Sequence, residues 1–90
     1  MISNTVIAQT ADELLNIKGV IASFVICQNS KNINISGRSL GEINVQLILE
    51  KLGGGGHLTI AGAQLENTDT NNAKLTLIKA IEEYYNDNAN

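Results

Sequence analysis

Several things are scarce in this chain, and each shortage removes a class of protein. There is one cysteine, Cys27, so no disulfide can form within the chain and a secreted, disulfide-stapled scaffold is excluded. The most continuous apolar stretch, Val20 to Cys27, is short and is interrupted by Ser23. A membrane-spanning helix needs roughly 18 or more apolar residues, so no crossing segment is expected. No basic leader followed by an apolar region is visible, and no signal peptide is expected. Basic residues are few: six Lys and Arg against nine Asp and Glu give a net charge of −3. Sequence-independent nucleic-acid binding needs a basic face to release counterions, and this balance argues against it. Aromatic residues make up 3%, and Tyr84 and Tyr85 fall on the core side and edge of one helix, so no platform for stacking bases is apparent. Proline is absent and asparagine abundant, and neither points to a function. The setting these shortages imply is reducing and aqueous, most simply the cytoplasm.

What is present suffices for a fold. Hydrophobic residues are 43% and charged residues 17% of the 90, so the chain has apolar mass to bury and is not a polyelectrolyte tail. A chain this short buries only about 60–65% of its unfolded surface, which predicts a modest core between two layers. No repeat, long linker or block of like charges divides it, so residues 1–90 are read as a single domain.

Ser3 to Ile17 places Ile7, Ala11, Leu14 and Leu15 at helical spacing, with Ser3 or Asn4 able to cap and Lys18-Gly19 to stop it. Thr5 to Ile7 could instead be extended, being rich in β-branched residues. Val20 to Cys27 is rich in β-branched residues and apolar on both alternating faces, the pattern of a central strand covered on each side. Gln28 to Asn32 is a polar turn, and Ile33 and Ile35 alternate with Asn34 and Ser36, so the pair reads as an antiparallel hairpin. Asn44 to Leu52 carries an apolar stripe of Val45, Ile48, Leu49 and Leu52, with Gly53 as its stop. Leu58 to Leu65 reads as a strand whose small residues Ala61, Gly62 and Ala63 suggest close packing by a helix or a ligand. Thr70 to Tyr85 reads as a last helix with Ala73, Leu77, Ile78, Ile81 and Tyr84 or Tyr85 inward, followed by a frayed tail at Asn86 to Asn90. The fold class is α/β (α+β): a mixed sheet of at least three strands with a β-hairpin, covered by about three helices.

The chain has one arginine, Arg38, and one histidine, His57, and the run Gly53-Gly54-Gly55-Gly56 immediately precedes the histidine. Arg38 ends a strand beside Ser36 and Ser39, and Asn44 opens the helix between these groups. Each suits an anion. Arginine offers a planar fork to phosphate oxygens, a helix start offers free N–H groups, and consecutive glycines let backbone N–H groups approach a ligand. Simpler readings stand beside these. The glycine run could be a helix stop with a hinge, His57 a half-buried structural residue, Arg38 a surface charge and Cys27 a buried strand residue. No metal-ligand spacing is present, Glu82-Glu83 does not converge, and no Ser/His/Asp set is apparent in sequence. The chain thus offers an anion-binding surface and no catalytic group.

Ser36-Gly37-Arg38-Ser39-Leu40-Gly41-Glu42-Ile43-Asn44-Val45, followed by Leu52-Gly53-Gly54-Gly55-Gly56-His57 and Ala61-Gly62, closely resembles the DHH-associated domain of DHH-superfamily phosphoesterases. The likeness is strongest to the C-terminal domain of membrane-anchored cyclic-di-AMP phosphodiesterases of Gram-positive bacteria, and it runs from about Ala11 to Tyr84. The resemblance implies a substrate-binding domain whose parent carries two manganese ions on a separate DHH domain, with no cofactor in the present residues. It implies a cleft between the two domains, in which Gly53, Gly54, Gly55, Gly56 and His57 line the substrate. Arg38, Ser36 and Ser39 would hold a phosphate and Asn44 would cap the helix beside them. On this reading the chain is one piece of a longer protein, inactive alone, with Met1 added to it. Its parent is anchored in the membrane and able to form a homodimer, and the domain itself is cytoplasmic without membrane contact. The implied ligand is a cyclic dinucleotide or a short linear one. A departure is Ile60: many relatives place two small residues before the glycine at position 62, and a branched side chain there narrows the space above the strand unless it faces the core. Two other readings remain: the substrate domain of an oligoribonuclease or RecJ-type exonuclease, and a non-catalytic nucleotide- or RNA-binding module.

Overall fold

A computed structural model describes residues 4–88, with side chains from Val6 onward. The elements are α1 (Asn4–Leu14), β1 (Ala22–Asn29), β2 (Asn32–Ser39), α2 (Val45–Glu50), β3 (Gly55–Gly56), β4 (Ile60–Glu66) and α3 (Thr70–Asn88). The strands form one sheet in the order β1-β2-β4-β3, and every neighbouring pair is antiparallel. The α+β class, the hairpin and the three helices are as the sequence predicts. The expected mixed sheet is instead antiparallel throughout, because the return from β2 through α2 brings the chain back as β4 running against it.

The β1–β2 register pairs Ala22 with Ser39 and Asn29 with Asn32, leaving Ser30-Lys31 as a two-residue turn with Ser30 at φ 54°. Alternation then assigns the side chains to two faces. Ile33, Ile35, Gly37 and Ser39 of β2 lie on one, with Phe24, Ile26, Ala61, Ala63 and Leu65 from the adjoining strands. α2 and α3 cover this face, and Ile33, Val45, Ile48 and Leu49 are completely buried between the layers. Truncating Leu49 would leave a void there. Leu49→Ala is expected to cost about 2–5 kcal/mol, read as a lower midpoint in urea unfolding.

The second face carries Ser23, Val25 and Cys27, then Asn34, Ser36 and Arg38, then Ile60, Gly62 and Gln64. α1 lies over β1 and β2 on this side, burying Ile7 and Ala11. The domain therefore has three layers, not two. The same packing corrects the reading of β1, which is an edge strand. It is apolar on both faces because α1 packs on one and α3 on the other.

The described part of α1 is helical through Thr5 to Ile7, and the cap expected at Ser3 lies outside the described residues. Beyond Leu14 the coil tightens, with Leu15, Asn16 and Ile17 donating to carbonyls three residues back, and Gly19 turns the chain at φ 90°. Leu14 is exposed, outside the expected stripe. α3 continues to Asn88, beyond the expected end at Tyr85, so Asn86 to Asn88 are helical and the last two residues lie outside the described range. Asp69 opens that helix, its carboxylate accepting from the Asn72 N–H at 2.7 Å. Ala73, Leu77, Ala80 and Tyr84 face inward, whereas Ile78 is exposed. No helix among the described residues is long and apolar enough to cross a membrane.

Candidate functional site

The glycine run separates into positions the fold requires and one that it does not. At the end of α2 the Gly53 N–H donates to the Glu50 carbonyl at 3.0 Å and the Gly54 N–H to the Leu49 carbonyl at 2.8 Å. With Gly53 at φ 82° these bonds form a Schellman close, which needs a left-handed residue. Gly54 and Gly56 lie against β4. A Cβ on Gly54 would overlap the Gly62 carbonyl oxygen and sit 2.7 Å from Ala63 Cβ. A Cβ on Gly56, which is also at φ 148°, would overlap the Ile60 carbonyl oxygen. The helix-stop reading is therefore correct for Gly53, and close approach to the strand explains Gly54 and Gly56.

Gly55 has neither reason. Its φ is outside the left-handed region and nothing lies within 4 Å of where its Cβ would be. It pairs with Gly62 across β3–β4, and Gly62 pairs with Ser36 across β4–β2. At Gly62 a Cβ would meet only the Ile35 carbonyl oxygen, at 3.4 Å, which is close but nearly ordinary contact. The glycine row Gly62–Gly55 thus forms a stretch of bare backbone on the second face, and the protein's own packing explains neither glycine.

Arg38 and Ser36 flank this row. The Arg38 side chain is 11% exposed and lies along β2: Nη1 donates to Ser36 Oγ at 3.1 Å and to the Gly37 carbonyl at 2.8 Å. Its Nε donates to Asp12 Oδ1 of α1 at 2.8 Å. Only Nη2 has no partner among the described residues. Arg38 is therefore not a loose surface charge. A guanidinium this buried needs acceptors in fixed places, and α1 supplies one. Ile60 stands opposite Arg38 on the same face, 52% exposed. It does not face the core, and it narrows the space beside the glycine row.

His57 is exposed in the turn between β3 and β4, its N–H and carbonyl both bonded to Ile60. Its imidazole has no hydrogen-bond partner among the described residues. The half-buried structural reading of His57 does not fit.

Of the two remaining expected residues, one falls elsewhere and one stands where it was expected. Ser39, one position beyond Arg38, projects to the opposite face. It is buried there, its hydroxyl donating to the Leu58 carbonyl at 3.4 Å and accepting from the Gly41 N–H at 3.3 Å. Asn44 caps α2 as expected, Oδ1 accepting from the Leu47 N–H at 3.1 Å, while its own N–H donates to Tyr84 Oη at 3.0 Å. The Val45 N–H is bonded to the Leu58 carbonyl, so the start of this six-residue helix is largely used within the fold.

Asp12 is the residue that sequence reasoning missed. Its ion pair spans 26 positions, and no local pattern in α1 announces it. Ile60 and Gly62 were visible in the sequence, but only the register shows that they share a face with Arg38 and Gly55. Among the described residues no group of three His, Cys, Asp or Glu side chains could hold a metal ion.

Helices on both faces of a four-stranded antiparallel sheet, with a Gly-Gly-His turn at one edge, define a small α+β domain whose second face carries α1 over β1 and β2 and an open, partly polar stretch at β4 and β3. The family described as the DHHA1 domain matches residues 1–87, and the chain belongs to it. Over 80 residues it is 54% identical to the cyclic-di-AMP phosphodiesterase GdpP of Geobacillus thermodenitrificans, covering 88% of this chain and 12% of that protein. Over 79 residues it is 54% identical to the cyclic-di-AMP phosphodiesterase PdeA of Listeria monocytogenes, covering 87% of this chain and 12% of that protein. The bifunctional oligoribonuclease and PAP phosphatase NrnA of Thermus thermophilus is 34% identical over 67 residues, or 74% of this chain and 21% of that protein. The crystal structure of an exopolyphosphatase-related protein from Bacteroides fragilis superposes with a TM-score of 0.73 at 31% identity, over 82% of this chain and 22% of that one. The chain thus spans about an eighth of the length of the phosphodiesterases it matches.

Proposed function

We propose that this chain is the substrate-binding domain of a phosphodiesterase that opens cyclic di-AMP to a linear dinucleotide. The observation that carries it is the pair Gly55 and Gly62, adjacent across β3–β4 on one face and unexplained by backbone conformation or crowding. A ligand resting on bare backbone accounts for both. The identity to proteins named cyclic-di-AMP phosphodiesterases supplies the chemistry of that ligand.

On this reading a phosphate sits where Arg38 Nη2 can donate to it, beside the Ser36 hydroxyl. The β3 backbone carries the rest of the nucleotide, and the His57 imidazole donates from the turn. Ile60 forms the apolar wall of the same space. A compact dinucleotide needs few charge contacts, which suits one arginine and a net charge of −3. Among the described residues the carboxylates and histidine do not converge into a metal site. The metal, manganese in this proposal, belongs to the DHH domain of a parent anchored in the membrane, with the present domain in the cytoplasm. What these residues supply is binding and orientation.

The test is a calorimetric titration of the chain with cyclic di-AMP and with its linear dinucleotide. Saturable binding of either is expected. Arg38→Ala is expected to weaken it about tenfold or more, the value of one charge-assisted hydrogen bond, in a protein that remains folded by circular dichroism. Unchanged affinity in that variant would overturn the arginine's role. Preference for the linear form would favour an oligoribonuclease-type parent, the reading supported by the likeness to NrnA.

A further inference from the structure

The geometry points to Asp12 as the residue that positions Arg38 for its ligand, a role that rests on the phosphate reading of Arg38. Two neighbouring residues of α1 are fixed to two cross-strand partners of the sheet. Ser23 and Arg38 face each other in the β1–β2 register. Ser23 Oγ, buried, donates to the Ala11 carbonyl at 2.7 Å, and Arg38 Nε donates to Asp12 Oδ1 at 2.8 Å. Ala11 is completely buried, so the backbone that carries Asp12 is held against the strands. The Asp12 side chain is itself 62% exposed.

An ion pair with one partner this open adds little to stability by itself. Its consequence is geometric. Asp12 takes Nε, while Ser36 Oγ and the Gly37 carbonyl take Nη1. A guanidinium is planar, so fixing two of its three nitrogens fixes the third. Nη2 is left as the donor with no partner among the described residues, and Arg38 shares its face of the sheet with Gly62 and Ile60. Without Asp12 the side chain regains torsional freedom, and a ligand phosphate must then order it, which costs affinity.

A competing account treats Asp12 as a rival anion that occupies the guanidinium until a phosphate displaces it. The two accounts predict opposite signs for removal of the carboxylate. Asn at position 12 keeps an acceptor for Nε and loses the charge; Ala loses both.

The experiment compares wild type, Asp12→Asn and Asp12→Ala by two readouts. The first needs no ligand: the Arg38 Nε–Hε resonance in a 15N-labelled chain. A dispersed, slowly exchanging signal is expected in wild type and Asp12→Asn, and a solvent-averaged one in Asp12→Ala. The second is calorimetric affinity for cyclic di-AMP and the linear dinucleotide. Asp12→Ala is expected to bind about fivefold or more weakly, and Asp12→Asn within about twofold of wild type or slightly tighter. Tighter binding by Asp12→Ala would overturn positioning in favour of competition. An unchanged Arg38 signal in Asp12→Ala would overturn it without reference to any ligand. If wild type binds neither nucleotide while the Arg38 signal responds as expected, the dinucleotide reading fails and the positioning of the guanidinium stands.

Discussion

Gly54→Ala is expected to destabilise the domain by about 2–3 kcal/mol, the upper part of the usual overpacking range, lowering the melting temperature by about 10–20 °C in a chain of this length. The added methyl would meet the Gly62 carbonyl oxygen and the Cα and Cβ of Ala63. These are backbone or near-backbone atoms, with no flexible side chain to swing away. Relief requires lifting β3 from β4, which also strains the bond from the Gly54 N–H to the Leu49 carbonyl that closes α2. Gly55→Ala, one position along, is expected to leave the melting temperature unchanged or slightly raised, because its Cβ meets nothing and alanine narrows the unfolded ensemble. Thermal melts followed by circular dichroism measure both. Equal melting of wild type and Gly54→Ala would show that β3 does not pack on β4 as described.

That contrast shows what a glycine run conceals in a sequence. Four identical residues carry no periodicity, so the two-residue strand β3 was invisible and the run read as one object. The structure divides it by neighbour: a left-handed turn, a backbone against a strand, an open position, and a backbone against the strand again. The small residues of β4 divide the same way. Ala61 and Ala63 face the helices, which accounts for their size, while Gly62 faces the open surface, where the proposed ligand would be its neighbour.

Periodicity predicted correctly where one face of an element is buried and the other wet. Ile33 and Ile35 of β2, the stripe of α2 and most of α3 follow that rule. It erred at β1, because cover on both faces looks the same in sequence whether a strand is central or at an edge; only hydrogen-bond partners tell them apart. Proximity in sequence likewise linked Ser39 to Arg38, whereas the pleat sends adjacent residues to opposite faces. Asp12 was beyond reach for another reason. A pair separated by 26 residues exists only once α1 has docked, and nothing local in Asp12-Glu13 marks which carboxylate meets the arginine.

Gly55→Val is expected to abolish nucleotide binding, weakening it about a hundredfold or more, while the fold survives. A β-branched residue suits a strand, and the space above Gly55 is empty of protein, so stability has little reason to fall. If the nucleotide rests on the β3 backbone, the isopropyl group stands where it must lie. Lifting the nucleotide off β3 also draws its phosphate away from Arg38 Nη2 and the Ser36 hydroxyl, two charge-assisted hydrogen bonds at about 1.5–3 kcal/mol each. Gly62→Ala probes the neighbouring position with a single methyl and is expected to give a smaller loss in the same direction, since the two residues are directly paired. Calorimetry with cyclic di-AMP on each folded variant decides it. Affinity retained in Gly55→Val would mean that the backbone at Gly55 is not approached, leaving the glycine run as a helix stop and a strand contact. Affinity lost in a protein that melts like wild type would mean that the one glycine of the run with no structural reason has a ligand as its reason.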